Sequence, residues 1–144
     1  MEKVTVFPDS NVLFSVAWTG REKSRSAILF ELQSLLFIRL FISRLVLEET
    51  MSNLREKRPE AIPFFEKLSG EVEVVPDLMV EGDDRRLKEL PENDRVILST
   101  AVAHGMDFFL TGNTRDFRGL YRRRIGRTLI LTPREFLDRK LPGE

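Results

Sequence analysis

The 144-residue chain has no cysteine, which removes disulfides, thiolate metal sites and cysteine nucleophiles together. Its single histidine, His104, excludes any multi-histidine metal centre. Metal chemistry here must therefore use oxygen ligands. Trp18 and Tyr121 are the only residues of their kinds and read as packing groups, with base stacking as the alternative. Long apolar runs are also missing: the longest, Leu35 to Ile42, already contains Arg39 and falls far short of the ~20 residues a membrane-spanning helix requires. The N-terminus Met-Glu-Lys-Val-Thr-Val shows neither the apolar core nor the small-residue cleavage site of a signal peptide, so the expected address is cytoplasmic, with no membrane partner.

Net charge is zero, from 23 basic and 23 acidic residues, so the chain as a whole does not advertise a polyanionic partner. The charge is nevertheless segregated: residues 1–70 carry +1, residues 71–94 carry −6 and residues 95–144 carry +5. Arginine supplies 17 of the 23 cations, and Arg115, Arg118, Arg122, Arg123, Arg124 and Arg127 share their stretch with one acid, Asp116. That local excess could track a phosphate backbone or could be a solvated face.

The pattern alternates strands with helices over one expected domain, residues 1–144. Val4 to Phe7 reads as a buried strand closed by Pro8-Asp9-Ser10-Asn11, where Asp9 or Ser10 caps a helix starting at Val12. A second helix is expected from Lys23 to Ser34, after the break at Thr19-Gly20-Arg21, and a second strand from Leu36 to Ile42. Ser43 caps a helix to about Lys57, Pro59 starts another that Gly70 stops, and Val72 to Val75 is a third strand. The acidic stretch Glu81 to Glu92 holds a short helix around Leu87 and Leu90, and Pro91-Glu92-Asn93 opens a longer one through Ala103. Phe108 to Leu110 and Leu129 to Leu131 are the fourth and fifth strands, and Thr132-Pro133 opens the last helix. His104, at a helix end before Gly105, is expected to cap carbonyls. This order predicts an α/β/α sandwich around a central, mainly parallel five-stranded sheet, with ligands at the C-terminal strand ends.

Acidic residues fall on that edge. Asp9 ends the first strand, Glu49 lies in the first turns after the second, Asp94 opens the helix before the fourth, and Asp116 lies in the turn after it. Neighbouring carboxylates raise one another's pKa and require protonation or a cation, and an oxygen cluster without imidazole suits Mg²⁺ or Mn²⁺. Asp9 as a helix cap and Asp94 as a partner of a helix dipole need no further function, however.

Four stretches together resemble a PIN domain, in the right order and over nearly the whole chain. They are Val4 to Leu13 with Asp9-Ser10-Asn11, Ser43 to Leu54 with Glu48-Glu49, Asn93 to Ala101 with Asp94, and Phe109 to Phe117 with Thr111-Gly112-Asn113 and Asp116. The resemblance implies a metal-dependent endoribonuclease using Mg²⁺ or Mn²⁺ on single-stranded RNA. Asp9, Glu49 and Asp94 would hold the metal, with the fourth ligand either Asp116 or Asn113, which stands where many members carry Asp and keeps an oxygen ligand without the charge. Helical periodicity leaves both Glu48 and Glu49 on flanks of the apolar face; the resemblance, through the family's spacing to Ser43 and Leu54, implies Glu49 and leaves Glu48 as a surface partner for Arg44 or Arg55. Asn11 matches the family's polar residue two positions after the first acid, and Thr111 its pocket hydroxyl. Together with Arg115, Arg118 and Arg122 they form the expected substrate-binding set. An antitoxin partner and a homodimer are further implications of the resemblance. Two alternatives remain: a non-catalytic PIN scaffold binding RNA or protein, suggested by Asn113, and a haloacid dehalogenase-like phosphatase. The latter needs a Lys and an Asp pair after Thr111, where only Lys140, Asp116 and Asp138 occur.

Overall fold

A computed structural model describes residues 3–20, 24–80 and 84–139. The expected start of the second helix at Lys23, the break at Arg21, the start of the acidic stretch at Glu81, and Lys140 lie outside the described residues. The elements run β1 (Val4–Pro8), α1 (Ser10–Thr19), α2 (Ile28–Ser34), β2 (Ile38–Ser43), α3 (Arg44–Lys57), α4 (Ile62–Ser69), β3 (Glu73–Val75), α5 (Arg85–Lys88), α6 (Glu92–Ala103), β4 (Phe108–Leu110), β5 (Arg124–Ile125), β6 (Thr128–Leu131) and α7 (Pro133–Leu137). Single 3₁₀ turns, Arg25–Ala27 and Pro59–Ala61, lead into α2 and α4.

The strands form one sheet in the order β3-β2-β1-β4-β6-β5, parallel except for β5 against β6, with helices flanking it. Six strands replace the expected five. The additional strand is two residues long, too short for an alternating pattern to mark it. It pairs Arg124 with Leu129 and Ile125 with Thr128 through a two-residue Gly126-Arg127 turn. Gly126 stands at φ +60°, the left-handed backbone that a tight hairpin demands of its first turn residue.

The central strands are apolar on both faces, as burial under helices on both sides requires. In β2 only Arg39 reaches solvent, while Ile38, Leu40, Phe41, Ile42 and Ser43 are buried. Phe7 of β1 stacks on Phe109 of β4 at 5.9 Å between ring centroids, and Phe109 meets Phe117 at 5.5 Å. These contacts fix the central strand pair and the loop after β4. The registers Pro8 opposite Leu110 and Leu110 opposite Leu131 then bring Asp9, Thr111 and Thr132 to the same edge of the sheet.

Connections diverge at the boundary between β1 and β4: successive strands run β1-β2-β3 to one side, and β4-β6-β5 lies on the other. A crevice at the C-terminal ends of two such strands is where open α/β sheets bind ligands. Asp9 and Thr111 stand there as the first residues beyond β1 and β4.

Candidate metal centre

Asp9 is 2 % exposed although it is a carboxylate, so its lone pairs must be met within the protein. As N-cap of α1 it accepts the Ser10 N–H at Oδ1 (2.8 Å), and at Oδ2 it accepts the Thr111 hydroxyl (2.8 Å) and Asn11 Nδ2 (3.1 Å). Capping and site formation thus coincide at one residue. Burial pushes the Asp9 carboxyl up to about 6, against the pull of these hydrogen bonds, and the charge of Glu49 pushes in the same direction as burial.

Thr111 is fully buried, and its hydroxyl is fully engaged. It donates to Asp9 and accepts from Asn11 Nδ2 (3.0 Å) and from the Asn113 N–H (3.1 Å). Asn11 also accepts the Gly112 N–H at 2.8 Å, which locks the loop after β4 onto the start of α1. A Cβ on Gly112 would lie 3.3 Å from Asn11 Oδ1, so this close approach favours glycine. Thr111 and Asn11 accordingly orient Asp9 and the loop. Tyr121, a packing group by its sequence context, also supports the site: its hydroxyl donates to the Thr111 carbonyl at 2.8 Å, and burial pushes it up to about 12. Trp18, by contrast, is 38 % exposed, with the Arg58 guanidinium 4.9 Å from its ring centroid.

Glu49 lies in the second turn of α3, whose N-cap Ser43 accepts the Val46 N–H. Its Oε1 accepts the Ser10 hydroxyl (2.7 Å) and its Oε2 accepts Asn93 Nδ2 (3.1 Å). Glu48 points away and stands 4.0 Å from Arg44 on the exposed side of the helix. Asp94, in the first turn of α6, is half-buried where the helix dipole favours an anion. Even so, its carboxyl is pushed up to about 7. Burial contributes most, followed by the charges of Asp9, Asp116 and Glu49 and by a hydrogen bond with Asp116 in which protonated Asp94 donates.

Asn113 and Asp116 form a closed pair in the loop after β4. Asn113 Oδ1 accepts the Asp116 N–H (3.1 Å), and Asn113 Nδ2 donates to Asp116 Oδ2 (2.9 Å). Asn113 holds Asp116, and Asp116 faces Asp94. Among the described residues no three carboxylates approach closely enough to close around one ion as the side chains stand. Their charges nonetheless act on one another at Asp94, and every donor is a hard oxygen. Such a set fits a small divalent ion that keeps part of its water shell.

The arginine-rich stretch is divided. Arg115 is 91 % exposed and lies 3.6 Å from Asp116. Arg118 and Arg123 are exposed as well. Arg122 is tied to Glu135 at 2.8 Å, Arg124 donates to the Arg127 carbonyl, and Arg127 pairs with Asp107 at 2.6 Å, where Asp107 also accepts the Thr5 N–H of β1. His104 reaches a carbonyl, as expected, but that of Pro76 after β3 (3.1 Å) and not one of its own helix.

The PIN domain family matches residues 6–123, most of the chain and all four of the acidic positions. The chain belongs to the PIN domain family, whose members are generally nucleases that use divalent metals. Solved structures share the fold. VapBC2 from Rickettsia felis, bound to a DNA fragment from its promoter, aligns with a TM-score of 0.62 at 14 % identity over 90 % of this chain and 98 % of that one. VapBC-1 from nontypeable Haemophilus influenzae aligns at 0.56 and 17 % over 91 % and 99 %, and a toxin-antitoxin complex from Klebsiella pneumoniae at 0.55 and 20 % over 89 % and 97 %. No curated protein sequence gives a significant match. Among the described residues no helix is long and apolar enough to cross a membrane.

Proposed function

We propose that this chain is an endoribonuclease that cleaves single-stranded RNA with Mg²⁺ or Mn²⁺, and that it is the toxin of a toxin-antitoxin pair. The observation that carries the reading is that Asp94 lies half-buried at the β1/β4 crevice within reach of the charges of Asp9, Asp116 and Glu49, from three other segments, so that burial first and these charges second raise its pKa to about 7. Asp9, Glu49, Asp94 and Asp116 would hold the ion, directly or through water. When bound, the ion supplies Lewis acidity toward a phosphodiester and lowers the pKa of water. Thr111 and Asn11 keep Asp9 in place, and Asn113 keeps Asp116 turned toward Asp94. Arg115, highly exposed beside Asp116, and the exposed Arg118 would meet the RNA backbone, whereas Arg122 is held by Glu135. The toxin reading is supported by the toxin-antitoxin complexes among the structural neighbours, and it gives the chain an antitoxin partner.

Purified protein incubated with single-stranded RNA should cleave it in Mg²⁺ or Mn²⁺ and stop in excess chelator. Expressed alone in a bacterial host, the wild-type chain should arrest growth while Asp9→Asn does not. Divalent-independent cleavage would remove the metal mechanism, and equal growth of both strains would remove the toxin reading.

A further inference from the structure

Glu49 is the one acid of the four that depends on a long, rotatable side chain, and it projects from a helix at the border with solvent. Facing the negative charges of Asp9 and Asp94, an unrestrained carboxylate there would lower its energy by swinging outward. Two neutral donors prevent this. The Ser10 hydroxyl meets Oε1 at 2.7 Å and Asn93 Nδ2 meets Oε2 at 3.1 Å, so each oxygen is held by a donor from a different helix. Each donor is the chain neighbour of another acid: Ser10 follows Asp9, and Asn93 precedes Asp94. Ser10 serves two carboxylates, since its N–H also donates to Asp9 Oδ1 at 2.8 Å. The relative placement of three acids, Asp9 at the cap of α1, Glu49 on α3 and Asp94 on α6, is thereby tied to residues Ser10 and Asn93.

We infer that Ser10 and Asn93 are positioning residues that hold Glu49 toward the divalent ion, an inference that rests on the metal-site reading above. Their neutrality matters. A lysine or arginine would orient Glu49 equally well but would neutralise the charge that attracts the ion, whereas a hydroxyl and an amide leave it intact. Partners of this kind, which hold a ligand without touching the metal, commonly change metal affinity when removed.

The probe is Mn²⁺ alone, titrated into the 144-residue chain at pH 7.5, with its dissociation constant read by calorimetry and by the rise in melting temperature. Asn93→Ala should weaken Mn²⁺ binding roughly tenfold, as loss of an outer-shell partner does. Ser10→Ala should act in the same direction, and Ser10→Thr, which keeps the hydroxyl, should restore most of the affinity. In a Glu49→Ala background neither alanine substitution should weaken binding further, because the side chain they position is gone. Asn93 is exposed on a first helical turn, so the metal-free melting temperature of Asn93→Ala should stay near wild type. Wild-type Mn²⁺ affinity in Asn93→Ala and Ser10→Ala, or equal losses with and without Glu49, would overturn the inference. No Mn²⁺ response in the wild-type protein would instead overturn the metal-site reading on which it rests.

Discussion

A carboxylate at position 94 lowers the stability of the metal-free fold at neutral pH. Its pKa rises from an ordinary 3.8 to about 7 in the folded chain because burial and three neighbouring acids disfavour the charge. A proton held more tightly when folded stabilises the fold fully below pH 3.8, and this contribution is lost as pH rises through 7. Asp9, raised to about 6 mainly by burial, acts in the same direction. The metal-free protein should therefore melt at a lower temperature at pH 8 than at pH 5, and Mg²⁺ should recover part of the difference. Asp94→Asn should melt above wild type at pH 8 and lose most of that advantage at pH 5, as followed by circular dichroism. Glu49→Gln should impair cleavage far more than Glu48→Gln, since Glu49 faces Ser10 and Asn93 while Glu48 faces solvent beside Arg44. The reverse order in a cleavage assay would contradict the placement of α3. Acids at strand ends were legible in the sequence because strands and helix starts leave patterns. The donors around them were not: Asn93 looks like any polar residue at a helix start, and Tyr121 reaches Thr111 only through tertiary folding.

At the scale of elements, α3 carries Glu49, and its start is fixed by Ser43, which is fully buried and accepts the Val46 N–H at 3.2 Å. Ser43→Ala removes that cap and leaves a buried N–H without its partner, so it should destabilise the fold by about 1 kcal/mol in urea unfolding. Ser43 as cap of this helix was readable from the sequence, as was the pairing of Thr132 with Pro133 at the start of α7. In the latter a capping box forms, with Thr132 accepting the Glu135 N–H and Glu135 accepting the Thr132 N–H. Short elements escaped. The β5 strand depends on Gly126 and on pairing with β6, which no local pattern of two residues can announce, and the approach to α2 tightens into a 3₁₀ turn that helical spacing does not distinguish from an α-turn.

For the whole molecule, the division of the arginines decides how RNA would be held. Of the six between positions 115 and 127, Arg122, Arg124 and Arg127 are committed to internal partners, and Arg127 together with Asp107 joins the β5–β6 hairpin to the opposite end of the sheet from Asp9. The other three are exposed, Arg123 beside β5 and Arg115 and Arg118 on the loop that carries Asp116. Replacing Arg115 and Arg118 with glutamine should weaken RNA binding and flatten its logarithmic salt dependence by roughly 0.7 per lost phosphate contact, while cleavage at saturating RNA changes little. An unchanged salt slope in the double variant would mark these arginines as a solvated surface. The central claim, that the β1/β4 crevice is a divalent-ion site for cutting RNA, is tested most directly by single-turnover cleavage of a labelled single-stranded RNA as Mn²⁺ is raised, in wild type and in Asp94→Asn. The account predicts saturable, chelator-sensitive cleavage in the wild-type protein and its loss in Asp94→Asn. Cleavage that persists without divalent ions, or that proceeds at the wild-type rate in Asp94→Asn, would contradict it.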